Sequence, residues 1–445
     1  MPLSDPRKAA AFRFVRADYA DGVAQLVYAF DDAVELVERI TFPDAPVLPP
    51  ERGPAFAAAL KLLHLVAGVS YYKAGVPAEI RVDDGAPDAA TAQLLDALYV
   101  HGLGEFAYQN RLDLRERIRF PRTGTVAPAV ALGLPARSLL PIGGGKDSLV
   151  SAELLKQHGE SATAVWVGNS PLIAACVAAT ELPGFNITRQ LAPELFEYNK
   201  AGAWNGHIPV TAINSAILVV AALLYGYDTI AFSNERSASS ATLEYDGRAV
   251  NHQWSKGWEF EQALAAWLRT HVATDLNYCS LLRPLSELAV TRLFARESRY
   301  DAVFSSCNRN FRILGPRPAD RWCGQCPKCH FVFLALAPFL PKPRLLAIFG
   351  RNLLDDESLQ PGFDALLEFG GHKPFECVGE GRESRAALLA LSQRPEWRED
   401  ALVARFRSIV LPRLDTAELS LAPLLQPEGP HGLPPRLVGI VDAFR

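Results

Sequence analysis

LLPIGGGKDSLVSAELLK, residues 139–156, is the stretch on which the fold turns. A short apolar run ends at Ile142, three glycines turn the chain, and a helix opens near Asp147 or Ser148. Glycine tolerates positive φ and lets the backbone come close to a ligand. A helix start presents unpaired N–H groups and the positive end of the helix dipole to an anion. Lys146 adds a charge to that cradle and Ser148 a hydroxyl. The spacing is neither Gly-x-x-x-x-Gly-Lys-Ser/Thr nor Gly-x-Gly-x-x-Gly, so it is not a Walker A loop or a dinucleotide fingerprint. The plain alternative is a tight strand-to-helix turn with a serine cap.

Working outward, short apolar runs alternate with helical stretches from about residue 138: SLLPI, a helix from Ser148, ATAVWV, a helix near 171–181, FNITRQ, a helix from 209, DTIAFS, a helix near 285–299 and the run DAVFSS. Such alternation predicts an α/β fold, a parallel sheet with helices on both faces. Before it, AFRFVRADY, GVAQLVYAF and VELVERITF alternate apolar and polar residues and predict an antiparallel meander, followed by helices. PRTGTVAPAVALGLPARS reads as a linker near 121–138. Beyond 330 the pattern is helical and the end is proline-rich. The expected organisation is an α+β N-terminal domain over 1–130, an α/β domain over 138–340 that carries the glycine loop, and a helical C-terminal region over 341–445.

The chain has 445 residues, 49% apolar and 21% charged, with a net charge of −4. That composition excludes intrinsic disorder as the main state and argues against a nucleic-acid coat or a polybasic membrane binder. The start, MPLSDPRKAAAF, lacks a signal-peptide apolar region. The run Ile208–Tyr225 is broken by Pro209, Thr211, Asn214 and Ser215, short of the ~18 apolar residues of a membrane span. A cytoplasmic protein is expected, with no membrane, no nucleic acid and no obligate protein partner.

Seven cysteines are present, and four fall between Cys307 and Cys329. An odd count in a cytoplasmic chain argues against a disulfide framework. Cys307, Cys323, Cys326 and Cys329 supply a tetrahedral thiolate set suited to structural zinc, with an iron–sulfur cluster as the alternative. His330 is expected to be a bystander.

The loop resembles the PP-loop of ATP pyrophosphatases, Ser-Gly-Gly-x-Asp-Ser, with Gly143 in the leading serine position and Gly144, Gly145, Lys146, Asp147 and Ser148 matching. The resemblance implies an adenine-nucleotide α-hydrolase-like core that binds ATP at residues 143–148, adenylates a substrate group and releases pyrophosphate. CGQCPKC is similar to the zinc knot of the 7-cyano-7-deazaguanine synthases, which adenylate a carboxylate. The remaining stretches LLHLVAGVSYYK, SNERSAS and VNHQWSKGWEFE resemble the UDP-N-acetylmuramoyl-L-alanyl-L-glutamate epimerases of cell-wall synthesis over nearly the whole chain. That resemblance implies ATP- and magnesium-supported inversion of the terminal glutamate of UDP-MurNAc-L-Ala-L-Glu, with AMP formed. Alternatives are an amidating synthase, a tRNA-thiolating enzyme and a non-catalytic nucleotide sensor.

The chemistry is coherent. A Cα proton beside a carboxylate is scarcely acidic, and adenylation removes the opposing charge. Asp147 is expected at the ATP step. His207, His252 and Lys256 are the acid–base candidates, each with a structural alternative. Cys176 and Cys279 form a conceivable two-thiol pair, with core packing as the alternative. Residues 281–330 carry nine Lys and Arg against four Asp and Glu, a basic excess suited to a diphosphate, or else a solvated face.

Overall fold

The computed structural model describes residues 5–312, 316–415 and 419–444. The predicted meander is β1 (Ala11–Ala20), β2 (Val23–Phe30) and β3 (Leu36–Thr41). Asp21 and Gly22 join β1 to β2, both at positive φ (50° and 76°), as a two-residue hairpin turn demands. β4 (Glu79–Val82) lies parallel to β1. The α/β region contributes β5 (Ser138–Pro141), β6 (Ala162–Val167), β7 (Gly184–Gln190), β8 (Thr229–Phe232) and β11 (Asn277–Ser280). A small hairpin pairs β9 (Leu243–Tyr245) with β10 (Arg248–Val250).

The meander continues the same sheet. All nine strands outside the hairpin run in the order β11-β8-β5-β6-β7-β3-β2-β1-β4. The β11-to-β7 half is parallel, and β3 joins it antiparallel to β7. A buried ion pair stitches that seam, with Arg189 Nε 2.7 Å from Glu38 Oε1.

In the parallel half β5 is the first strand, and the chain steps to β6 and β7 on one side and to β8 and β11 on the other. The order reverses between β5 and β8. In doubly wound sheets that switch point opens a crevice at the carboxyl ends of the strands. The glycine loop follows β5 there, and Ser233–Asn234 follow β8.

Two expectations change. DAVFSS forms a turn and an extended segment, not a strand; Ser305 N instead donates to Gly144 O at 2.9 Å, clamping the glycine loop. The edge strand is β11, four residues too short to leave a periodic signal. Helical structure at Pro50–Tyr72 is long and apolar enough to cross a membrane, but 72% of its apolar 18-residue window is buried in the protein. Its middle, helix Gly53–Ala67, packs against helix Val210–Tyr225. Gly68, at the end of that helix, leaves no room for a side chain, since a Cβ would come within 2.3 Å of Phe14 Cε1.

Beyond 341 the chain is mostly short helices, including Gly381–Ser392 with a Glu380/Glu383 capping box. Arg436 ties the end of the chain to the sheet through Asp228 (2.6 Å) and Glu160 (3.0 Å).

Candidate active site

Helix Lys146–Gln157 begins directly after Gly145, as its sequence predicts. Gly144 takes φ +84°, which only glycine adopts freely, and a Cβ on Gly145 would lie 2.7 Å from Ser306 Oγ. The loop is thus shaped by its glycines and closed from behind by residues 305–306.

A cavity of about 320 Å³ opens over the loop. Gly143, Gly145, Asp147 and Ser148 line one side. Trp166, Phe232 and Phe311 give it apolar surface, and Lys256, Lys328 and Cys377 also line it. Lys146 does not line it. Its ammonium is buried in ion pairs with Asp147 and Glu287, so the charge expected at the phosphate serves the interior. Asp147, Glu235 and Glu287 each offer an oxygen within 4.8 Å of the others, a set that could hold a cation. Burial, with Glu287 and Asp147 alongside, pushes the Glu235 carboxyl up to about 8. Burial opposes ionisation of Asp147, yet Lys146 and Lys328 hold its carboxyl below the ordinary value.

The acid–base candidates converge. The rings of His207 and His252 lie 4.3 Å apart, and both face Glu105. Burial, and then the positive His252 and Lys256, press His207 down to about 3, so it stays neutral. Burial also acts against the His252 cation, but Cys377 and Glu105 outweigh it and lift the imidazole to about 9. Lys256 Nζ donates to Cys377 Sγ at 3.2 Å. Burial alone would raise that thiol; Lys256 and His252 bring it down to about 5, leaving a thiolate at neutral pH.

Sequence reasoning missed Cys377, Glu105, Glu287 and Lys328. Lys328 sits between two cysteines of the cluster, the one local signal. Cys377 lies in FECVGE with no motif around it. Cys176 and Cys279 are buried and line neither cavity described here; burial pushes Cys176 up to about 12, and its thiol donates to Gly144 O and Val303 O. Both pack the interior.

The four cluster cysteines do meet. Sulfur separations are 3.4 Å for Cys326–Cys329, 3.7 Å for Cys323–Cys329 and 3.9 Å for Cys326–Cys307. Tetrahedral ligands at about 2.3 Å from a zinc ion lie about 3.8 Å apart, so the donor set fits such a metal. Helix Pro327–Leu336 starts at Cys326 and turns Lys328 toward the cavity, where its Nζ donates to Cys377 O. His330 stays outside the set, its ring stacked on Phe363 at 5.0 Å.

A larger cavity, about 620 Å³, is lined by chain neighbours of Glu105 and His252, among them Gly104 and Asn251. Tyr108, Tyr245 and Trp254 line it with Arg111, Arg115 and Arg248. The arginines of 281–330 line neither cavity. Arg283 is buried against Glu261, and Arg292 and Arg321 bind main-chain carbonyls.

Residues 3–281 match the family model of the MurL N-terminal domain and residues 303–420 that of the MurL C-terminal domain. A UDP-N-acetyl-alpha-D-muramoyl-L-alanyl-L-glutamate epimerase of Xanthomonas oryzae pv. oryzae is 59% identical over 441 residues, covering 98% of both chains. Proteins of the same name from a Micromonospora species and from Salinispora tropica are each 43% identical, over 98% of this chain and 98% and 96% of their own.

Proposed function

The chain belongs to the MurL epimerase family, and on that premise we propose that it inverts the terminal L-glutamate of UDP-MurNAc-L-Ala-L-Glu to D-glutamate through an acyl adenylate. Epimerase activity makes it an isomerase, serving the supply of peptidoglycan precursor. The adenylation step rests on one observation above others: the glycine loop at the sheet's switch point, with a cavity over it. Backbone N–H groups at the start of helix Lys146–Gln157 suit the ATP phosphates, and the apolar wall of Trp166, Phe232 and Phe311 suits a purine.

Magnesium prefers carboxylate and phosphate oxygens together. Of the carboxylates in the acidic set, only Asp147 lines the cavity, so it is the group to meet a magnesium carried in with ATP. The four-cysteine set suits structural zinc, which would hold Lys328 in place and stay out of the reaction.

The substrate is long, and its glutamate must reach a cavity that also takes ATP. The larger cavity fits the other end. Its aromatic faces suit uracil, and Arg111, Arg115 and Arg248 suit a diphosphate. The dipeptide would then pass Glu105 and His252 to reach the loop.

The reaction run in deuterium oxide with ATP, magnesium and the dipeptide precursor tests this. One deuterium in a product carrying D-Glu, with AMP formed, is the expected result. AMP without deuterium would point to another acceptor, and inversion without AMP would end the adenylate reading.

A further inference from the structure

On that reading, a base must reach the glutamyl Cα inside the adenylating cavity. Few groups lining it can serve. The carboxylate of Asp147 is engaged by Lys146. The serine, threonine and asparagine side chains on the wall would need a base of their own. Lys256 points its N–H at sulfur. His207 and His252 are outside the wall, turned toward Glu105.

Cys377 differs from all of these. It lines the cavity together with the glycine loop, although it lies 229 positions along the chain from Ser148. The segment that brings it is held from several directions. Lys328 Nζ donates to Cys377 O, Gln253 Nε2 to Val378 O at 3.4 Å, Asn308 Nδ2 to the Glu376 carboxylate and Lys373 Nζ to Ser240 Oγ at 2.9 Å. All four partners, Lys328, Gln253, Asn308 and Ser240, come from residues 138–340, and they hold the chain on both sides of one thiol. Cys279, by contrast, is fully buried, and burial raises its thiol.

We propose that Cys377 Sγ is the base that takes the Cα proton of the adenylated glutamyl residue. The Cα–H bond breaks, an S–H bond forms, and the electron pair moves into the acyl carbonyl as an enolate. A proton from solvent water then reaches the opposite face, the enolate collapses and the C–H bond is restored with inverted configuration. The thiol returns its proton to solvent, and water hydrolyses the inverted acyl adenylate to the D-glutamyl carboxylate and AMP. Lys256 positions the sulfur and favours its ionised form, so no prior activation is needed.

The test compares wild type with Cys377→Ala and Cys377→Ser in deuterium oxide, with ATP, magnesium and UDP-MurNAc-L-Ala-L-Glu. AMP, deuterium uptake and D-Glu are followed separately. Both variants are expected to keep forming AMP while deuterium uptake and D-Glu fall by about 10²–10⁴-fold, the usual worth of a positioned base. Inversion within about tenfold of wild type in either variant would overturn the proposal, being below that range. So would loss of AMP together with inversion at unchanged ATP affinity, which would make Cys377 part of the adenylation machinery. A glutamyl thioester recovered on Cys377 after denaturing quench would replace the base by a covalent role. Should the variants not fold, iodoacetamide on the wild type gives the same reading: alkylation mapped to Cys377 must remove deuterium uptake and spare AMP, and intact uptake after full alkylation overturns the proposal. If the wild type inverts glutamate without AMP, the adenylate reading fails, and the deuterium measurements still judge Cys377.

Discussion

Replacing Lys146 by methionine separates two roles for this lysine. Its ammonium is 1% exposed and lies between Asp147 and Glu287, which is itself 2% exposed. Methionine keeps the stem volume and removes the charge. Two carboxylates with oxygens within 4.8 Å then face each other without the ammonium between them. Their repulsion is about 3.5 kcal/mol at an effective dielectric of about 20. Removing one member of a buried pair costs about 3–5 kcal/mol in general, which agrees. The variant should therefore lose about 3–5 kcal/mol in urea unfolding at pH 7. The loss should shrink with acid. Without the ammonium, the carboxylates' folded pKa values rise above their unfolded ones. A raised folded value favours the fold fully below the unfolded pKa and is lost as pH rises through the folded one. Wild type and variant should converge toward pH 4–5. A variant as stable as wild type at pH 7, with only a higher KM for ATP, would refute the reasoning and put Lys146 on the phosphates.

Three further outcomes are expected. His64 is buried, held near 4 by burial and hydrogen-bonded from Nε2 to Val27 O at 3.0 Å. Its folded value lies below the unfolded ~6.5, so stability is full above that pH and falls by about 3 kcal/mol as pH drops toward 4; His64→Gln should flatten that part of the urea-unfolding profile, and an unchanged profile would remove His64 as the cause. Deuterium uptake should fall as pH drops through about 5, where Cys377 is protonated, and again above about 9, where the His252 cation is lost; a flat profile through pH 5 contradicts the thiolate. Metal analysis should give zinc at the four-cysteine site, and stripping it with a chelator should loosen Lys328 and weaken ATP binding along with stability; a stripped protein that binds ATP as before would cut that link, and visible absorbance near 400 nm would indicate an iron–sulfur cluster instead.

What the sequence by itself determined is local. GGGKDS specified a turn and helix start because glycine conformation and helix polarity act within a few residues. Cys323, Cys326 and Cys329 lie within one turn and the next helix, so their spacing alone predicted a shared metal. The meander was legible because its apolar residues alternate and Asp21-Gly22 fits only one kind of turn. Tertiary structure decided the rest. The meander could have stood alone, but Arg39 to Thr41 pair with β7 and extend one sheet. Lys146 reads as a phosphate ligand from its neighbours in sequence, yet Glu287, 141 residues away, claims its ammonium. Cys377 meets Lys256 across 121 residues and Glu105 meets His252 across 147. No pattern along the chain encodes such meetings, because they depend on which faces pack together, and it is the partners so brought together that keep Cys377 and His252 ionised against the cost of burial.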